Sequence, residues 1–267
     1  MPRLSEQGVT TLYKQNYRIR TYDVDRNKIL KPSGALQITQ DAGCGQMRTE
    51  GMSYEEVFAT GRAYMLNRLD MNILTEIHED EDVTASSWPC ESRRATFLRC
   101  YGMWRGEEPV VEISTQWSLV SLEDRKILTV EDADMTGYEF GPYKEAAPGK
   151  FKIPPAVAET MTCASQHRVS YSDADSNGHM NNTYYLNYLC DLIPELEAGT
   201  HRVSTLRIHY SKEAPVGETI AIYQSEKLPP RDGAEQESRY LFRTLRKSDG
   251  EMNIAAEIGI VPVKSAI

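Results

Sequence analysis

The chain has 267 residues, 40% of them apolar and 26% charged, with 30 Lys plus Arg against 39 Asp plus Glu, a net charge of −9. That length and balance describe one or two globular domains with a sizeable core, and exclude a disordered or fibrous chain. They also argue against nucleic-acid binding through a basic face, and no run approaches the roughly 18–20 apolar residues of a membrane span.

The first residues, MPRLSEQGVTTLYKQ, lack the apolar core of a signal peptide, so a cytoplasmic location is expected. A short strand-like run leads into Arg18-Ile19-Arg20-Thr21-Tyr22-Asp23-Val24-Asp25-Arg26-Asn27. A helix is predicted from Pro32-Ser33, with Ser33 as its N-cap and Leu36, Ile38, Ala42 and Met47 along it. Within that helix Gly43-Cys44-Gly45 begins a GxGxxG, but Arg48 stands where the last glycine belongs and no strand precedes it, so no dinucleotide site is expected. Ser53-Tyr54-Glu55-Glu56 before Val57 and Phe58 is a capping-box pattern and predicts a second, short helix. Strands follow over 64–77, 83–92, 96–104 and 110–122 by alternation and β-branched or aromatic enrichment. The run Glu76-Ile77-His78-Glu79-Asp80-Glu81-Asp82 lacks the second His of HExxH and is expected to be a solvated turn without metal.

Next comes GYEFGPYKEAAPGKFKIPP, which holds four of the 13 prolines and three glycines, a linker composition. Beyond it Arg168-Val169-Ser170-Tyr171-Ser172-Asp173-Ala174-Asp175-Ser176-Asn177 overlays the first-half stretch at an offset of 150, with four of ten residues identical. A helix is predicted from Asn181-Asn182 through Tyr185, Leu186, Leu189 and Ile193 to Pro194, then strands over 203–210, 219–225, 238–246 and 254–261. The chain is therefore written twice: a unit over 1–137, a linker over 138–164 and a second unit over 165–267, each an α+β arrangement of one helix against an antiparallel sheet. Cysteines at 44, 90, 100, 163 and 190 are odd in number and form no CxxC, which suits reduced and mostly buried thiols. The Asn181-Asn182-Thr183 sequon is coincidental in a chain without a secretory signal.

Asp175, Asn177 and His179 recur at alternate positions, so extended or turn-like backbone would point all three into one cleft. The predicted helix start at Asn181 and Asn182 would add N–H groups that favour developing negative charge. Acid, amide, imidazole and helix N-terminus together suit hydrolysis at a carbonyl, whereas a merely polar turn capping the helix is the plainer alternative.

The stretch DADSNGHMNNTYYLNYLCD resembles the start of the central helix in hotdog-fold thioesterases. With the repeat, RTYDVDRNKILKPSGALQITQDAGC and GEEPVVEISTQWSLVSLEDRKI, the chain from about Tyr17 to Val261 resembles the acyl-ACP (acyl carrier protein) thioesterases of plants and bacteria. The resemblance implies an α+β tandem hotdog, a long helix packed on each half of a nearly continuous sheet, and release of free fatty acid from acyl-ACP. It implies catalytic roles for Asp175, Asn177, His179 and Glu213 (the acid of YSKEAP), with backbone N–H groups near Asn181 and Asn182 receiving the oxyanion. Glu213 or His179 would take the proton from water. No cofactor or metal is implied. Some relatives carry cysteine after that glutamate; this chain has Ala214, which removes a cysteine nucleophile there. The first copy keeps Asp25 and Asn27 but has Ile29 in place of His179 and Pro32 in place of Asn182, so it is expected to shape the acyl pocket instead. The expected partner is acidic carrier protein, met by a patch drawn from Arg93, Arg94, Arg99, Lys144, Lys150, Lys152, Arg202 or Lys212; exposed sheet edges leave a homodimer open. An acyl-CoA thioesterase or hydratase, or a non-catalytic acyl-binding protein, are the competing readings.

Overall fold

Strands form where the alternation places them in the computed structural model, which describes residues 12–141, 148–149, 151–231 and 237–264. The first unit runs β1 (Tyr13–Arg18), α1 (Pro32–Glu50), α2 (Tyr54–Ala59), β2 (Arg62–Ile73), β3 (Asp82–Arg93), β4 (Thr96–Arg105) and β5 (Glu108–Ser121). After α3 (Pro155–Thr160) the second runs β6 (Thr162–Arg168), α4 (Tyr184–Cys190), α5 (Pro194–Glu197), β7 (His201–Tyr210), β8 (Thr219–Gln224), β9 (Ser238–Arg246) and β10 (Met252–Pro262).

All ten strands join one antiparallel sheet in the order β1-β3-β4-β5-β2-β7-β10-β9-β8-β6. The second half of that order mirrors the first, so the two copies meet like the halves of a two-fold dimer carried on one chain. Their seam is the β2–β7 ladder, Arg68↔His209 through Asn72↔Thr205, crossed by the Asp70–Arg207 ion pair at 3.3 Å. Leu36 and Leu69 from one copy share a single core with Leu186 and Ile258 from the other, all fully buried. Gly43 and Gly45 let α1 lie close on the sheet: a Cβ at Gly43 would sit 2.9 Å from Tyr101, and one at Gly45 would collide with the Tyr13 ring.

Four local expectations change. Ser33 does not cap α1: Lys31 is the capping residue, in the extended conformation that a following proline favours, and the Ser33 hydroxyl instead lies 2.6 Å from Asn187 Oδ1. The second-unit helix is short. Asn181 turns its Oδ1 onto the Thr183 N–H (2.9 Å), so helix begins only at Tyr184, and Ile193 is driven extended by Pro194. A long helix thus covers only the first half of the sheet. Strand β2 ends at Ile73 rather than Ile77, because the chain leaves the sheet to accept the Leu30 N–H on the Ile77 carbonyl at 2.7 Å. For the same reason the acid-rich run is not simply a solvated turn: Ile77 is fully buried and Glu76 only 8% exposed.

The capping box at the start of α2 is present in full, with Ser53 accepting from the Glu56 N–H and the Glu56 carboxylate accepting from the Ser53 N–H. Among the described residues no helix is long and apolar enough to cross a membrane.

Candidate functional site

The segment from Asp175 to His179 is a tight hairpin rather than extended chain. Asp175 N–H donates to the His179 carbonyl (2.9 Å) and Gly178 N–H to the Asp175 carbonyl (3.0 Å), with Gly178 at φ +75°. That is a turn closed by a left-handed residue, a place where glycine costs nothing. Asp175 Oδ1 accepts the Asn177 N–H at 2.8 Å, so this carboxylate holds the loop in shape. Asp175, Asn177 and His179 all line one cavity, which the hairpin brings them to.

The hairpin is seated by Met180 N–H on the Ala214 carbonyl (2.8 Å), which sets His179 against the strand-end loop. There His179 Nε2 lies 3.4 Å from Glu213 Oε2, both side chains a little over one-quarter exposed. Arg246 Nη1 donates to the Glu213 carbonyl at 2.9 Å and fixes its backbone, while Arg125 Nη1 stands 3.8 Å from its carboxylate. Asn177 reaches across to the first unit: its Nδ2 is 3.1 Å and its Oδ1 3.3 Å from the Tyr54 hydroxyl on α2. Burial raises the Tyr54 pKa, so the hydroxyl stays protonated near neutral pH.

Tyr54 escaped the sequence reading, and its only signal was the capping box that places it at the first position of α2. Glu213 and His179 are 34 residues apart in sequence, and the bond from the hairpin's Met180 N–H to the Ala214 carbonyl in the loop after β7 brings them together.

The helix-terminus expectation is corrected. Asn181 N–H is already donated to the Asp173 carbonyl (2.8 Å) and α4 starts beyond it, so Asn181 offers no backbone donor. The Asn182 N–H has no acceptor among the described residues. The Asn182 carbonyl takes the Tyr210 hydroxyl at 3.0 Å and its buried Oδ1 is unpaired.

Behind this constellation lies a cavity of about 640 Å³. Both units line it: Asn177, His179 and Glu213 from the second, and from the first Cys44 and Met47 of α1, Tyr64 and Leu66 of β2, Phe97 of β4 and Trp117 of β5. Largely apolar walls with a few convergent polar groups are the ordinary form of a small-molecule site. Among the described residues no three His, Cys, Asp or Glu gather as metal ligands.

The first copy repeats the hairpin bond for bond. Asp25 N–H donates to the Ile29 carbonyl (2.8 Å), Lys28 takes the left-handed place of Gly178 at φ +60°, and Leu30 pairs with Ile77 as Met180 pairs with Ala214. Glu76 therefore corresponds to Glu213. It is closed off, its Oε1 accepting the Lys264 N–H at 2.7 Å, and Asn27 Nδ2 is bound to the Gly199 carbonyl at 2.8 Å.

Of the expected carrier patch, Arg93, Arg94, Lys152 and Lys212 are exposed, whereas Arg99 lines the cavity and Arg202 is buried on the Ile73 and Val203 carbonyls. Lys144 and Lys150 lie outside the described residues. Cys163 is exposed rather than buried and Cys44 faces the cavity, where burial raises its pKa; burial pushes Cys190 up to about 12.

Beneath the hairpin, Asp173 is only 3% exposed. Burial raises its pKa, but bonds from the Tyr188 hydroxyl, the Ser170 N–H and His167 outweigh burial and hold it below the ordinary carboxylate value. A depressed carboxylate stabilises the fold above its unfolded pKa near 3.9, and that stability is lost as pH falls through the lower folded value. Asp173→Asn is expected to cost about 1–3 kcal/mol at pH 7, with the gap to the parent closing in acid. Urea unfolding at both pH values checks this, and equal stabilities at pH 7 would contradict it.

Residues 10–138 match the family described as acyl-ACP thioesterase N-terminal domain, and residues 158–260 that described as acyl-ACP thioesterase C-terminal domain. The chain is 21% identical over 234 residues to oleoyl-acyl carrier protein thioesterase 1, chloroplastic, of Arabidopsis thaliana, covering 81% of this chain and 64% of that protein. It is 21% identical over 230 residues to the oleoyl-acyl carrier protein thioesterase, chloroplastic, of Coriandrum sativum, covering 79% and 61%. The chain thus spans a little under two thirds of these relatives' length. Among solved structures, a Lactobacillus plantarum chain superposes with TM-score 0.80 at 19% identity, covering 95% of this chain and 97% of that one. An acyl-ACP thioesterase from Bacteroides thetaiotaomicron gives 0.77 at 16% identity over 92% and 96%, and the 12:0-ACP thioesterase from Umbellularia californica 0.72 at 15% over 94% of each. These superpositions share the tandem hotdog fold.

Proposed function

The chain belongs to the acyl-ACP thioesterase family, and on that premise we propose that it hydrolyses the thioester of fatty acyl-ACP to free fatty acid and the carrier thiol. The observation that carries this reading is the His179–Glu213 pair at the mouth of a largely apolar cavity shared by both units.

The acyl chain enters the first-unit half of the cavity and leaves its carbonyl at the hairpin. Glu213 takes a proton from a water molecule, and His179 holds that water over the carbonyl carbon. As the C–O bond forms, the oxyanion is met by the Asn182 N–H, and Asn177 holds the thioester or water through its amide. The C–S bond then breaks and the proton passes to the leaving thiolate. Asp175 acts through the turn it fixes. Tyr54 is a positioning residue, since it holds the Asn177 amide from the other unit.

Lys212 and Arg125, both at the mouth, are the cations placed to meet an acidic carrier. Five free thiols, one of them exposed, suit a reducing compartment such as the cytoplasm. The outer strands β1 and β6 are the edges through which a homodimer would form.

The test is release of free thiol from acyl-ACP by the purified chain, beside acyl-CoA of the same length. Hydrolysis with acyl-ACP preferred supports the assignment. A CoA preference moves it to a CoA thioesterase, and tight acyl binding without turnover to a binding protein.

With Ala214 beside Glu213, no cysteine is expected to serve as nucleophile. A variant with all five cysteines replaced by Ala should keep hydrolysis within about tenfold of the parent, because general-base attack by water needs no thiol. Loss of turnover in a folded cysteine-free chain would redirect attention to Cys44, the thiol facing the cavity.

A further inference from the structure

We propose that Arg99 forms a charged wall in the outer part of the acyl cavity, beside Pro89 and Ser92 of β3, and sets the longest chain accepted, an inference that rests on the thioesterase reading above. The ladder Arg99↔Thr115, Thr115↔Leu69, Leu69↔Ile208 spans three strand gaps, about 14 Å at the usual strand spacing. Arg99 on β4 therefore lies well across the sheet from β7, whose end leads to Glu213. Between them Leu66 and Trp117 line the way.

Arg99 shares with Tyr101 the sheet face beneath α1. Its Nη1 donates to Gln46 Oε1 and Ser87 Oγ, each at 2.7 Å, and the guanidinium sits 6.0 Å from the Tyr138 ring centroid. Those partners are all neutral, and among the described residues no carboxylate lies in salt-bridge range. A cation without a counter-ion depends on water in the cavity for its solvation. An alkyl end pressed against it would displace that water and lose more than one further buried methylene gains. Chains short of Arg99 avoid that loss, and longer ones do not.

The test is kcat/KM over a chain-length series of saturated acyl-ACP for the parent, Arg99→Gln and the double variant Arg99→Met/Gln46→Met. The double variant is included because Gln46 is only 1% exposed, and removing Arg99 alone would leave its carbonyl unpaired. Arg99→Gln removes the charge while keeping a donor, and stands in should the double variant not fold. Circular dichroism melts establish which variants are folded. The expected result is a rise of about tenfold or more in the kcat/KM ratio of the first rejected chain to the longest accepted one. An unchanged cut-off in a folded variant overturns the proposal. So does parent enzyme that prefers an ω-hydroxyl chain to the alkyl chain of equal length, since Arg99 would then recognise oxygen. Absence of hydrolysis by the parent on every acyl-ACP would instead defeat the thioesterase reading itself.

Discussion

His179→Ala and Glu213→Gln are each expected to lower turnover by roughly 10²–10⁴ while leaving the melting temperature within a few degrees. The range is that of losing an acid–base partner, about 2.7–5.5 kcal/mol of barrier at 1.36 kcal/mol per tenfold. Stability should survive because both side chains are part exposed and their 3.4 Å contact is a partly solvated ion pair at most, of a kind that contributes little to folding. The backbone that positions them is held independently, by Met180 on Ala214 and by Arg246 on the Glu213 carbonyl. Since both residues act on the same water, the double variant should be little worse than either single one, a non-additivity expected of groups that work as a unit. Steady-state kinetics on acyl-ACP with parallel melts decide the matter. Near-parent kcat for either folded variant would remove it from the mechanism.

The second large effect is an asymmetry between the two copies. Asn177→Ala should reduce kcat by roughly 10²–10³, the usual result of deleting a preorganised hydrogen-bonding group from a carbonyl site. Asn27→Ala, 150 residues earlier, should leave kcat alone and instead cost about 0.5–1.5 kcal/mol of stability. The two amides occupy equivalent places in equivalent hairpins, and what differs is what each meets across the seam. Asn177 finds the Tyr54 hydroxyl beside the cavity, and Asn27 finds the Gly199 carbonyl and is spent on it. Glu76, the counterpart of Glu213, is likewise tied to Lys264, and Ile29 offers no imidazole. Tyr54→Phe should lower kcat about tenfold with KM little changed, and should have almost no further effect in the Asn177→Ala background. Turnover lost in Asn27→Ala at full stability, with Asn177→Ala benign, would place the reaction in the first unit.

Local signals determined much of this protein. Alternation located β8 and β9 and set most other strand ends within two residues, because a strand with a buried face must repeat every second position. The capping box at Ser53 fixed the start of α2 for an equally local reason, two N–H groups met within four residues. The offset repeat announced two equivalent segments, whose Asp-to-backbone bonds lie inside each one, but not that each would close into a hairpin. With Ile29 in place of His179, it also marked the first copy as the one without the imidazole. The mirrored sheet order, the β2–β7 seam and the shared cavity depend on pairings across more than a hundred residues, for which no local periodicity exists. Tertiary structure likewise took Asn181 out of the oxyanion site, by spending its N–H on Asp173, and brought in Tyr54 from the other unit. It also moved Arg99 from a supposed surface patch to the cavity wall. A side chain's chemistry is written in the sequence. Whether its donors and charges are spent or left free is decided only by the neighbours that long-range packing supplies.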